Sequence, residues 1–254
     1  MLPKEVRQKI RKGQFKEMTS GLCRGFIQGN LVILPKKYAE DFKLFCERNP
    51  APCPLLSISE PGDPFISQLG DDIDIRTDVP EYHIFINGKL ADTVTQIKNY
   101  WQDDFVTFIL GCSFSFEDAL IENGINIRNV ELKKNVSMYQ TKLKTISTKY
   151  FSGNYVVSMR PLLSKDIDRA IEITSRYPKA HGAPVHIGSP DKIGISNLAK
   201  PDFGDEVYVF NDEVPVFWAC GVTPQLAIRE AKIPIAITHV PGKMLITDKH
   251  YEDL

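Results

Sequence analysis

Cys112 and Cys220 lie far apart in the chain but in similar surroundings. "FVTFILGCSFSFEDAL" and "VPVFWACGVTPQLAI" each run from an apolar stretch, through the cysteine, to the start of a helix. The positive end of a helix lowers a nearby thiol's pKa and presents backbone N–H groups to an anion. Two such corners facing one another suit the two carboxylates of a diacid. Each cysteine taken singly is equally consistent with core packing, since cysteine is among the most buried residue types. Ser113 and Ser115 at one corner, with Thr223 and Gln225 at the other, are candidates to bind a substrate beside these helix starts. Glu117 is either a favourable charge in a first helical turn or an acid–base group. His239, on the Pro-Gly loop "THVPGKM" after an apolar strand, is a further acid–base candidate.

Two arginines offer carboxylate-binding forks. Arg160 ends the apolar stretch "VVSMRP", where an incompletely solvated charge needs a partner or a ligand. Arg76 stands among three aspartates, in a self-satisfied surface ladder or as a fork for substrate. His181 and His186 in "HGAPVHIG" are five apart with Pro184 between them, which is not the spacing that puts two ligands on one helix face. A chelating pair is not expected, and His186 is kept as a substrate-binding candidate. Cys46 and Cys53 fall outside zinc-site spacing, and "DDIDIRTD" lacks the glycine and distal glutamate of a calcium loop. No metal site is expected.

The elements that must position these residues can be read from periodicity and breakers. Helices are expected over Lys4–Lys12, Lys36–Arg48, from a capping-box-like Ser115 to Gly124, over Lys165–Arg176, and over Pro224–Ala231 with Thr223 as N-cap. "NLVILP", "FVTFIL", "EVYVF" and "IPIAIT" read as buried strands. The strict alternation in "DIDIRTDV" reads as a half-buried strand, and "NIRNVEL", "VSMYQTKL", "YVVSMR" and "APVHIG" read as short strands. "NPAPCPLLSISEPGDP" carries five prolines and reads as an ordered loop. Apolar strands joined by helices predict an α/β fold, a mainly parallel, helix-covered sheet with a second, smaller α+β domain inserted. Residues 1–125 and 206–254 form the expected main domain with both cysteine corners, and 126–205 the insert.

The chain has 254 residues with 43% hydrophobic content, enough for a well-buried core. Lys and Arg total 31 against 32 Asp and Glu, a net charge of -1 that offers no single-signed field to nucleic acid or anionic lipid. The basic, polar start "MLPKEVRQKIRKGQFKEM" lacks the apolar core of a signal peptide, and no stretch is apolar for the roughly 18 residues of a membrane span. Five scattered cysteines do not form a secreted disulfide framework. A cytoplasmic protein acting on a small acidic molecule is expected, with neither nucleic acid nor membrane as partner; homo-oligomerisation is the base-rate expectation.

"NLVILP", "FCERNPAPCPLL", "DIDIRTDVP", "FILGCSFSFE", "VVSMRP", "HGAPVHIG", "VPVFWACGVTPQ" and "ITHVPGKMLITD", in this order and across almost the entire chain, resemble the hydro-lyase family also called the D-glutamate cyclase family. The resemblance implies an α/β fold with a smaller second domain and carbon–oxygen lyase activity. By the family's name, that activity is loss of water from D-glutamate to give 5-oxo-D-proline. In such a reaction the neutral α-amine attacks a protonated or polarised γ-carboxyl group, which needs orientation and proton transfer but no redox or phosphate cofactor. Thiolate attack on an unactivated carboxylate is uphill, so Cys112 and Cys220 are cast as proton-transfer or site-lining groups. Two rival readings stand beside this one: a two-cysteine racemase, which needs the sulfurs to face each other across a cleft, and a non-catalytic binding protein for a small acidic metabolite.

Overall fold

Phe26–Pro35 is apolar at both ends, carries Gln28, Gly29 and Asn30 between them and is buried along most of its length as the central strand β1. The computed structural model describes residues 1–253. Helix α1 (Pro3–Arg11) precedes β1, and α2 (Lys36–Arg48) follows it directly. Then come β2 (Leu55–Ile58), β3 (Tyr82–Ile86), β4 (Lys89–Val94), β5 (Phe105–Gly111), α3 (Phe114–Glu122) and α4 (Arg128–Glu131). The chain continues through β6 (Ser137–Lys144), β7 (Asn154–Leu163), α5 (Ile167–Ser175), β8 (His186–Ile187), β9 (Glu213–Ala219) and α6 (Val222–Ala231). It finishes with β10 (Ile235–His239) and β11 (Leu245–His250).

These strands form two sheets, ordered β2-β5-β1-β10-β3-β4 and β6-β7-β9-β8. Strands β10 and β11 pair in succession along one edge of β1, so residues 240–244 leave the ladder as an excursion beside it. Strand β9 joins β7 and β8 in the second sheet, while β10 and β11 return to the first.

The expected mainly parallel, helix-covered sheet is overturned, because every strand pairing is antiparallel. Continuous apolar strands suggest parallel sheets because both faces are usually covered there. Here an antiparallel sheet is covered twice. Val32 and Leu34 on one face of β1 pack with Phe42, Phe45, Ala227 and Ile228 of α2 and α6. Leu31 and Ile33 on the other face pack with Ile66, Leu69, Ile73, Ile75 and Ile97, which lie in irregular chain rather than helix.

That second cover contains "DIDIRTDV", which is turn and not strand. Its aspartates outcompete the ladder for backbone donors: Asp78 accepts from the Asp74 N–H at 2.9 Å and Asp74 from the Arg76 N–H at 3.0 Å. Arg7, fully buried, and Arg11 neutralise the segment through Asp72 and Asp78. The expected strand "NIRNVEL" is likewise helical at its centre, as α4. Neither helix near the cysteines has a side-chain cap: α3 begins one residue before the expected Ser115, and α6 begins at Val222 with Gly221 before it. Thr223 is instead spent on β7, where its Oγ1 accepts the Val156 N–H at 2.9 Å.

Candidate active site between the two sheets

The corner after β5 and the corner after β9 correspond position by position. Cys112 and Cys220 directly follow their strands and precede their helices. Three residues on, Ser115 Oγ accepts from the Gln28 N–H of β1 at 3.5 Å, as Thr223 does from β7. Five residues on, each helix reaches the opposite sheet. Glu117 accepts from Arg160 Nε of β7 at 3.0 Å, and the Gln225 carboxamide lies 3.3 Å from His239 Nε2 of β10. Apolar packing follows the same exchange. Phe116 and Leu120 of α3 pack with Leu162, Val216 and Trp218 of the second sheet, while Ala227 and Ile228 of α6 join the core of the first. The two corners are thereby brought against each other.

They border a cavity of about 20 Å³ lined by Asn30, Cys112, Ser113, Asn135, His181, Cys220, Gly221, His239 and Gly242, with apolar walls from Phe114, Val136, Met138, Val222, Pro241 and Met244. That space suits a water and is far smaller than a five-carbon diacid. Close approach shapes it. A Cβ on Gly221 would lie 2.2 Å from Asn30 Nδ2, and one on Gly111 would lie 1.6 Å from the Lys179 carbonyl oxygen. Asn30 is fixed by donating to the Gly111 carbonyl at 2.6 Å.

Burial decides the charge of each group in the cavity. It pushes the Cys112 thiol up to about 12, against the backbone N–H of Phe114, and Cys220 up to about 11, against the N–H groups of Val222 and Gly221. Desolvation therefore exceeds the helix-terminus effect, and both thiols are protonated at neutral pH. Burial likewise pushes His239 and His181 down to about 4, so both rings are neutral. His239 Nδ1 accepts the Leu31 N–H at 3.0 Å, which puts the ring proton on Nε2. His181 Nδ1 lies 2.7 Å from the Ala51 carbonyl, which puts its proton on Nδ1 and leaves a lone pair on Nε2.

Arg160 lies behind this lining. Its guanidinium is fully buried, bonds Glu117, donates to Ser158 Oγ and Ser113 Oγ at 3.0 Å each, and sits over the rings of Phe116 and Trp218. Because Ser113 Oγ accepts from a cation, its own O–H is free to donate into the cavity.

Of the residues singled out by sequence, Cys112, Ser113, Cys220 and His239 line the cavity. Arg160 and Gln225 contact the lining residues Ser113 and His239 from behind, Glu117 pairs with Arg160, and Ser115 and Thr223 brace the corners on neighbouring strands. Arg76 forks onto Asp74 at 2.8 and 2.9 Å, and half-buried His186 bonds the Ser189 carbonyl at 2.8 Å; neither borders the cavity. Sequence reasoning missed Asn30, Asn135 and His181. Asn30 carried a usable signal, an amide inside an apolar strand. His181 carried a weaker one, and its left-handed backbone at φ 78° became visible only in three dimensions. Among the described residues, no group of three or more His, Cys, Asp and Glu is placed to hold a metal ion.

The profile of the D-glutamate cyclase family matches residues 106–248, which include both corners and the 240–244 excursion. The chain belongs to the D-glutamate cyclase family. It is similar to proteins named "Putative hydro-lyase" from Aliivibrio fischeri, 55% identical over 97% of this chain and 92% of theirs, and from Verminephrobacter eiseniae, 55% identical over 99% and 92%. A nitrogen repressor-like protein from Methanococcus jannaschii aligns over 99% of both chains at 12% identity with a TM-score of 0.41, too low for a shared fold to follow. Membership fits a lyase, and it puts the family's matched region around the cavity just described.

Proposed function

We propose that this family member is a lyase that closes D-glutamate, or a closely related dicarboxylic amino acid, to 5-oxo-D-proline with release of water. The observation that carries the reading is the convergence of two helix starts and four neutral proton carriers, Cys112, Cys220, His181 and His239, on one small cavity. The reaction moves two protons from nitrogen to the departing oxygen as the N–C bond forms and the C–O bond breaks. Neutral thiols and imidazoles suit such a relay, with His181 Nε2 placed to accept a proton and the thiols and His239 Nε2–H placed to donate one. Ser113 O–H and the N–H groups at the start of α3 polarise one carboxyl group, and the start of α6 receives the other. A thioester route is disfavoured by the same burial, which keeps the sulfurs protonated. Substrate must widen the cavity to enter, by displacement of 240–244 or of the turn bearing His181.

Incubation with D-glutamate labelled with ¹⁸O in the γ-carboxylate should release 5-oxo-D-proline and ¹⁸O-water, and Cys220→Ala should slow this at least tenfold without unfolding the chain. No product from D- or L-dicarboxylic amino acids would refute the reading. One observation favours a second activity: both cysteines line the same cavity, as a pair of α-proton-exchanging thiols requires. Loss of α-deuterium without ring closure would select that racemase.

A further inference from the structure

The cavity contains acceptors that the fold leaves unused. Asn135 is 8% exposed, and its Oδ1 has no hydrogen-bond partner. It is held in place by its backbone, whose N–H donates to Asp205 Oδ2 at 2.8 Å. Space for its carboxamide depends on Gly242, at φ 86°, where a Cβ would lie 2.9 Å from Nδ2. His181, which also lines the cavity, offers a second acceptor at Nε2, since the bond between Nδ1 and the Ala51 carbonyl holds the ring proton on Nδ1. A buried acceptor without a donor is costly, and a ligand N–H removes that cost. Among the described residues no carboxylate lines the cavity, and both acceptors are neutral, Asn135 as an amide and His181 through burial.

We propose that Asn135 and His181 form the subsite for the substrate's α-amino group, with the carboxylates directed to the starts of α3 and α6. This deepens the cyclase reading and rests on it for the carboxylates, while the amine preference is independent of turnover. A carboxylate at this position would hold the amine as ammonium. Two neutral acceptors bind its N–H groups without fixing the charge, which leaves the nitrogen able to become a nucleophile.

The test compares binding of amine-bearing acids and their amine-free counterparts by calorimetry: D- and L-glutamate against glutarate, and D- and L-aspartate against succinate. Wild type should bind its best amino acid at least tenfold tighter than the matching diacid. Asn135→Leu and His181→Gln should each shrink that ratio at least fivefold while leaving diacid affinity within twofold. The His181 ring nitrogen resonances should shift with the amino acid and stay unchanged with the diacid. The proposal is overturned if no amino acid outbinds its diacid, if Asn135→Leu weakens both ligands equally, or if that variant keeps both preference and turnover. A retained amine preference without any turnover would instead overturn the cyclase reading and leave the subsite standing.

Discussion

Arg160 and Glu117 bury a charge pair directly behind the candidate site. Removing one partner leaves the other ionised in a dry interior, a change that costs about 3–5 kcal/mol. Arg160→Ala and Glu117→Gln should therefore both lower urea stability by that order. Arg160→Met with Glu117→Leu should recover most of the stability and still lose activity, because Ser113 would lose the cation that turns its hydroxyl toward the cavity. Equal recovery of activity would show that the pair serves the fold alone. His181 and His239 make a second prediction. Each ring takes a proton near pH 6.5 when unfolded and only near 4 when folded. Between those values the unfolded chain binds more protons, so the stability of the neutral rings is complete above pH 6.5, falls with pH, and is gone below 4. At pH 5 the loss is about 2 kcal/mol per ring. Urea titrations at pH 7.5 and 5.0 should show it, and His181→Gln should remove its share of the pH dependence.

At the scale of elements, the site depends on each helix crossing to the other sheet, and on two glycines where the crossings are tightest. Gly221→Ala would drive a Cβ into Asn30, and Gly111→Ala would drive one into the backbone carbonyl of Lys179. The first clash is with a side chain and the second with backbone, so they should differ in remedy. Asn30→Ala should restore most of the melting temperature lost in Gly221→Ala, whereas no single side-chain change should rescue Gly111→Ala. Calorimetric melting of the four proteins checks this, and failure of Asn30→Ala to help would mean that the contact is not the limiting one. The corners themselves were legible in sequence, because an apolar run, a cysteine and a helix start are local features. The range of α2 was too, since Pro35 and Pro50 bracket it. Strand direction was not legible: β1 and β5 are buried on both faces whichever way they pair, and burial was the only signal. Nor was the turn at 72–79, where side-chain acceptors defeat an alternation that otherwise favours a strand. Asn135 and His181 reach the cavity from loops whose paths are set by distant contacts with Asp205 and Ala51.

For the whole molecule, the question is how a cavity with room for one water admits a substrate. All five cysteines are buried, with Cys112 and Cys220 keeping 7% and 8% exposure against 1% at Cys46 and Cys53, so full access of a thiol reagent needs an opening. The openings differ in extent. Cys46 and Cys53 belong to the main core with Phe42, Phe45 and Phe108, and exposing them means taking α2 off the first sheet. Cys112 and Cys220 lie in a smaller cluster between the sheets, bordered by Met244 of the 240–244 excursion, and a shift of that segment would uncover them with both sheets intact. Opening also wets them. Water removes the desolvation that holds both pKa values high and leaves the N–H groups of Phe114, Gly221 and Val222, which lower them. In native buffer at pH 8, peptide mapping after alkylation should therefore find Cys112 and Cys220 modified at least tenfold faster than Cys46 and Cys53, through local rather than global unfolding. Saturating D-glutamate should protect the first pair and leave the second unchanged. Equal rates for all four would mean that the cavity opens only when the protein unfolds, and substrate would then have no route to the two corners.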